Sequence, residues 1–246
     1  MTSAARTGGW EAIGASGWTL LREEIAAGRT ETALELLDEL STESREGINQ
    51  YQDWVWALFS YIADRWGEDE LPEAIRATAR DWFRGFYDIC LRLEPRERVK
   101  LIAEGMRAQR GGPGLEGSVR VSEEEDRWVL TFDPCGSGGR MRRGHELSGP
   151  PRTEPPWNLG VTKRAHPWSW GRAGVPYYCV HCCVVHELMT AEWSGGYPLW
   201  VTDFDPDPSK PTRWYVYKAP ELIPEEFFTR VGLRKPGARS AREVAQ

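Results

Sequence analysis

From residue 17 to about 109, apolar side chains recur at steps of three and four, the spacing that puts them on one face of a helix. Trp18, Leu20, Leu21 and Ile25 begin an amphipathic turn, and Leu34, Leu36, Leu37 and Leu40 continue one after Thr30. Over 50–65, Tyr51, Trp54, Val55, Leu58, Phe59 and Ile62 form a wide apolar stripe, expected to face a core. Pro72 stands where a first helical turn tolerates it, and Ile75, Ala79, Trp82, Phe83, Phe86 and Ile89 follow. Cys90 falls on the apolar side of that helix and reads as a buried small hydrophobe. Pro95 opens a shorter helix carrying Val99, Ile102 and Met106, which GGPG at 111–114 terminates.

After Gly117 the period changes to two. Val119 and Val121, then Trp128, Leu130 and Phe132, alternate with polar residues across an acidic turn at 123–126, which predicts a hairpin. A second hairpin is predicted from 199–204 and 213–217, joined by the turn-forming DPDPSKP. Between them, 136–176 is rich in Gly, Pro and Trp and aperiodic, a length of irregular chain that usually serves function; a helix over 179–191 closes it. The pattern predicts an α+β fold: an N-terminal helical bundle packed on a small antiparallel sheet, with a zinc-clamped long loop. The helical region is placed at 10–112 and the sheet region at 113–233, packed together as one unit, with 1–9 and 235–246 as flexible ends.

The composition is that of an ordinary folded protein: 246 residues, 40% hydrophobic and 28% charged. A net charge of -6 argues against a nucleic-acid binder, and with no run of 18 apolar residues no membrane-spanning helix is expected. The N-terminus lacks a signal-peptide pattern, so a cytoplasmic location is expected. Thirteen Trp is abnormal and implies either a well-packed core or an aromatic-walled pocket. The 26 Arg against 5 Lys carry little weight by themselves.

Four of the five cysteines follow residue 134, three of them in Cys179-Val180-His181-Cys182-Cys183-Val184-Val185-His186. In a cytoplasmic chain, thiols so spaced point to metal binding or catalysis rather than disulfides. Cys179 and Cys182 have the two-residue spacing that chelates one ion, and Cys182 and His186 share a helical face. With Cys135 as fourth ligand the set Cys135, Cys179, Cys182, His186 would hold a closed, structural zinc. Cys183 is an alternative to Cys182; an iron–sulfur cluster, a redox C-x-x-C and simple buried cysteines are the competing readings. In ordinary helical geometry His181 points away from the Cys182–His186 face. There it could act as general acid or base, oriented by Asp203 or Asp133. His186-Glu187 without a second His four residues earlier is no metalloprotease motif.

The interval 136–172 carries a local charge near +5, from Arg140, Arg142, Arg143, Arg152, Lys163, Arg164 and Arg172 against Glu146 and Glu154. Its start, Cys135-Gly136-Ser137-Gly138-Gly139-Arg140, could form an anion nest of backbone N–H groups, although the P-loop spacing is absent. Arg140, Arg142, Arg143 and Arg172 are thus candidate anion-binding residues, and Trp168 and Trp170 candidate pocket walls.

The order of helical half, hairpin, cysteine, connecting segment, helix and second hairpin resembles the 2-amino-thiazoline-4-carboxylate hydrolase-like proteins and the related 4-vinyl reductase domains. The matching parts are 120–135 and 179–217. That resemblance implies an α+β fold and a cytoplasmic role on a small acid. The function expected is a small-molecule hydrolase or lyase acting on an anionic metabolite; the alternatives are a zinc-stabilised ligand-binding or regulatory module and a protein–protein adaptor. The expected partner is a small anionic substrate, with neither membrane nor nucleic acid; a homo- or hetero-oligomer stays open.

Overall fold

The computed structural model describes residues 13–108, 119–145 and 149–237. The periodic first half folds as helices α1 (Gly17–Ala26), α2 (Thr30–Trp66), α3 (Leu71–Arg92) and α4 (Pro95–Ala108). The amphipathic segments after Thr30 and over 50–65 are one helix of 37 residues, roughly 55 Å long at 1.5 Å per residue. No proline interrupts 30–66, and Gly67, with φ at 103°, ends it in backbone that favours glycine.

The buried face of α2 is not the stripe the spacing predicts. Tyr51, Trp54 and Leu58 are exposed, whereas Asn49, Gln52, Trp56, Ser60 and Ala63 are buried. The cause is what α2 packs against: irregular chain, whose backbone groups need partners once buried. Trp56 Nε1 donates to the Gly160 carbonyl (2.8 Å) and the Gly160 N–H to Ser60 Oγ (2.9 Å), while the Arg45 guanidinium donates to the Gly136 carbonyl. A wholly apolar face could not supply these bonds. On α3 the expected stripe is likewise split: Ile75, Ala79, Tyr87 and Cys90 are buried, and Trp82, Phe83, Phe86 and Ile89 are exposed. Burial pushes the Cys90 thiol up to about 11, as befits an inert core cysteine.

Both predicted hairpins form. Strands β1 (Arg120–Glu123) and β2 (Arg127–Phe132) pair antiparallel, as do β3 (Val201–Asp203) and β4 (Thr212–Tyr217). β2 and β4 then join them into one four-stranded sheet of order β1-β2-β4-β3. Alternation assigns the two faces. Leu130, Phe132, Trp214 and Val216 face the main core with Trp200, while Val201, Tyr215 and Tyr217 meet Phe227 and Phe228. Those two phenylalanines lie on the last of three short helices, α5 (Gly138–Arg143), α6 (Met189–Trp193) and α7 (Glu225–Thr229).

The long interval is irregular after α5. The expected anion nest is instead a helix start, in which the N–H groups of Arg140 and Met141 bond the carbonyls of Cys135 (2.9 Å) and Ser137 (3.0 Å). Two carboxylates, the partly buried Asp53 and the buried Glu68, fasten the interval to the helices. Asp53 on α2 bonds Arg140 (3.1 Å) and Arg152 (2.9 Å). Glu68, just past α2, accepts from the Lys163 N–H (2.7 Å), the Arg164 N–H (3.1 Å) and Tyr177 OH (3.2 Å), and pairs with His166 Nε2 (2.7 Å).

Lys235, in the stretch expected to form a flexible end, donates through Nζ to the carbonyls of Glu221 (2.6 Å) and Ile223 (2.8 Å). Residues 1–9, 111–114 and 238–246 lie outside the described residues. Among the described residues no helix is long and apolar enough to cross a membrane.

Removing Asp53 leaves two buried guanidinium groups without their carboxylate. Asp53→Ala is expected to cost about 3–5 kcal/mol, read from urea denaturation with fluorescence. Glu68 gives a pH signature. Burial pulls its carboxyl up, but the bonds from His166, Lys163 and Tyr177 outweigh this and hold it below the usual carboxylate range. A lowered folded pKa contributes stability that is present above the unfolded pKa and lost as pH falls through the folded one. Wild type is therefore expected to lose stability between neutral pH and about pH 3 more steeply than Glu68→Gln.

Candidate metal centre

The predicted helix over 179–191 forms over 180–193, but not as a uniform α-helix. It passes through a π-helical segment, Cys182–Leu188, before returning to α6. This overturns the expected direction of His181. In an α-helix, residues five apart diverge by about 140° around the axis; bonding i to i+5 instead brings them one above the other. His181 therefore joins the face of Cys182 and His186, with the two imidazole centroids 5.7 Å apart. Ligand atoms of His181, Cys182 and His186 all lie within 4.8 Å of one another, a group that could hold a metal ion.

The surroundings fix how these side chains present themselves. His181 Nδ1 sits 2.6 Å from the Tyr178 carbonyl; a carbonyl can only accept, so Nδ1 carries the proton and the Nε2 lone pair accepts from the Cys182 thiol, 3.5 Å away. His186 Nδ1 is engaged by Tyr87 OH, which leaves Nε2 to coordinate. Burial lowers the pKa of His181 and lowers that of His186 well below the usual value, keeping both rings neutral as metal ligands require. Burial, then the neighbouring thiols of Cys135 and Cys179, raise the Cys182 pKa well above its usual value. A bound cation would favour the ionised form of that thiol.

The expected ligands Cys135 and Cys179 stand beside this trio rather than in it. Cys179 is buried under α5, where a Cβ on Gly138 would lie 2.5 Å from its sulfur; burial pushes its thiol up to about 12. Cys135 Sγ lies 3.4 Å from Ser137 Oγ. Cys183 does not replace Cys182, because its thiol turns to the Pro167 carbonyl (3.5 Å).

The expected proton-transfer partners are elsewhere. Asp203 bonds Tyr215 OH (2.9 Å), and Asp133 pairs with Arg143 (2.8 Å); both carboxylates are about half exposed on the hairpin side. The group that orients His181 is a backbone carbonyl. The carboxylate that sequence spacing passed over, Glu187, is 1% exposed. It accepts from Trp170 Nε1 (2.9 Å) and the Thr202 N–H (2.8 Å) and forms a two-oxygen pair with Arg230 (2.9 and 3.0 Å).

Most of the candidate anion-binding arginines are committed to structure. Arg140 is held by Asp53, and Arg143 by Asp133 and the carbonyls of 208–210. Arg172 is exposed. Arg142, buried, donates to the Asp205 (2.7 Å) and Pro206 (2.6 Å) carbonyls with its guanidinium 4.7 Å from the Phe204 ring centroid. Trp168 stacks on His166 (centroids 4.3 Å) and Trp170 on Phe204 (5.0 Å).

The trio borders a cavity of about 790 Å³, which Cys135, Cys179, Arg142 and Trp170 also line. One wall is aromatic: Trp200 and Trp214 stack 5.8 Å apart, 5.2 and 5.1 Å from the His186 ring. The other side is formed by apolar residues of α2, α3 and α4, among them Val55, Phe83 and Met106. No family model, curated protein or solved structure matches the chain. Sequence reasoning missed Tyr87, Tyr178, Trp200 and Trp214 as parts of the site. The signal available was a polar-tipped aromatic on the buried stripe of α3, and two Trp at inward positions of the second hairpin.

The contact between Gly138 and Cys179 can be tested directly. Gly138→Ala is expected to displace the Cys179 side chain and lower stability by about 1–3 kcal/mol, seen as a reduced denaturation midpoint. Buried-thiol labelling by a disulfide reagent should become faster in the same variant.

Proposed function

We propose that this chain is a zinc-dependent small-molecule enzyme, a hydrolase or lyase, with His181, Cys182 and His186 as the protein ligands. The observation that carries the reading is that three ligand side chains converge on the wall of a large cavity. Three protein ligands and a fourth position left for water or substrate are the arrangement of catalytic rather than structural zinc. The donor set also suits a borderline divalent metal. Bound there, zinc would supply a polarised substrate oxygen or a water of lowered pKa.

The chain's own residues do the rest. The Tyr178 carbonyl and Tyr87 hold the imidazoles in orientation from behind, the kind of outer contact that tunes a ligand. Trp170, Trp200, Trp214 and Phe204 keep water from the cavity wall. Arg142, the one expected anion binder that lines the cavity, is the residue through which an anionic substrate group would be held. The five free cysteines suit a cytoplasmic setting, where thiols stay reduced, and the order of elements that resembles hydrolase-like and reductase-like proteins supports small-molecule chemistry. A second reading, a protein partner seated on α2 and α3, draws on the exposed side chains of Trp54, Trp82 and Leu58; light scattering of the purified chain and of its complexes tests it.

Elemental analysis is expected to find about one zinc per chain in wild type, and far less in Cys182→Ser and His186→Ala. Cys135→Ser should keep its metal, since that thiol stands outside the trio. Tyr87→Phe should weaken zinc by about 10–100-fold in a chelator competition. Turnover of an ester, amide and lactone panel that is lost with the metal, in a variant still folded by circular dichroism, supports an enzyme. Metal binding with ligand capture but no turnover supports the module reading, and wild type free of metal after zinc supplementation overturns the proposal.

A further inference from the structure

The wall of the cavity beside the trio carries polar atoms for which the fold provides no partner. Trp200 Nε1, Thr202 Oγ1 and Trp214 Nε1 are all buried, and among the described residues none has a hydrogen-bond partner. Their residues are 1%, 1% and 6% exposed, so solvent does not serve them either.

Strand register places the three together. Trp200, immediately before β3, and Thr202 within it are two residues apart, and both side chains turn to the cavity side of the sheet. Thr202 is directly opposite Trp214 in the β3–β4 ladder, and opposite residues of an antiparallel pair share a face. That face lines the cavity, and its two indoles stack on each other within about one ring of His186. Indole nitrogen can only donate, and a hydroxyl can do so as well. The side chains around them are largely apolar: Phe204, Val185 and Ile75 on the cavity wall, with Phe132 packed edge-on against Trp214.

Burying a donor without a partner is costly, and folded proteins rarely keep several side by side unless something else satisfies them. We propose that the Trp200–Thr202–Trp214 face is the recognition site for a flat, largely apolar small molecule that presents a planar oxygen acceptor, a carbonyl or a carboxylate, to these donors. The stacked indoles supply a surface matched to a ring system. Their N–H groups and the Thr202 hydroxyl read the acceptor. The His181–Cys182–His186 group then lies next to the acceptor-bearing end of the molecule. This deepens the function proposed above by naming its substrate class, and rests on that reading only in the neighbourhood of the metal.

Three isosteric probes test it on the full chain by equilibrium dialysis: 2-naphthamide, 2-naphthoate and 2-isopropylnaphthalene, the last having the same branched shape with no acceptor. At least one oxygen-bearing probe is expected to bind about tenfold or more tightly than the hydrocarbon, because a site built around donors rejects an analogue that leaves them unpaired. The amide and the carboxylate arms tell a neutral acceptor from a charged one. Trp214→Phe and Trp200→Phe, which keep an aromatic ring but remove the N–H, should each lower that preference severalfold while leaving hydrocarbon affinity within about twofold. Thr202→Val, isosteric and distant from the metal ligands, serves if a Trp variant fails to fold.

Equal binding of all three probes to wild type overturns the proposal, as does a preference that survives in every folded variant. Measurements on chelator-treated and zinc-loaded protein separate the two readings. A preference that disappears with the metal assigns the acceptor to zinc, overturning the indole site and sparing the enzyme. A preference that persists in protein unable to bind zinc upholds the indole site and removes the metal reading.

Discussion

Glu187 ties the molecule together around the helix that bears the candidate site. Its carboxylate is enclosed, and donors from three other places reach it: Trp170 from the long interval, the Thr202 backbone from β3, and Arg230 just past α7. Burial pulls this carboxyl above the usual carboxylate range, while Arg230 and the hydrogen bonds pull the other way. A charge in that setting is tolerated only when every lone pair has a partner, so helix, interval, strand and C-terminal segment must meet at one point. The next residue toward the N-terminus is His186. The same convergence therefore fixes where its imidazole stands relative to the Trp200 and Trp214 rings.

The α+β architecture was legible because its signals are local. Period-two alternation marked β1 and β2, and the DPDPSKP turn lay where the second hairpin bends. Pro72 and Pro95 fell in the first turns of α3 and α4. The pairing of Cys182 with His186 was equally local, since residues four apart remain neighbours whether the turn is α or π. His181 was not legible in that way. Its inclusion depends on a change of hydrogen-bond register inside a helix, and nothing in Cys-Cys-Val-Val-His announces such a change.

The basic interval shows why summed charge misleads. A local +5 reads as an anion site when only neighbours along the chain are counted. Asp53 and Glu68, about ninety to a hundred residues earlier, absorb Arg140, Arg152 and His166. The same long-range pairing explains the misassigned face of α2. That helix buries Trp56 and Ser60 and exposes Trp54 because its neighbour is irregular backbone seeking hydrogen bonds, not another oily surface. Tryptophan divides accordingly. Trp18, Trp54, Trp66 and Trp82 sit outside on the helices; Trp168 is buried against His166, and Trp170, Trp200 and Trp214 are inside around the site.

The π-helical turn also bears on how the chain can change in length. Because Cys182–Leu188 holds more residues per turn than its flanks, it takes up about one residue more than an α-helix turning through the same angle. Losing one residue there would let the helix regain its ordinary pitch with Met189, Thr190 and Ala191 still turned toward the core against which they are packed. The latitude is in length and not in volume: Val184 and Val185 are almost wholly buried, so a change of side-chain size there is costly.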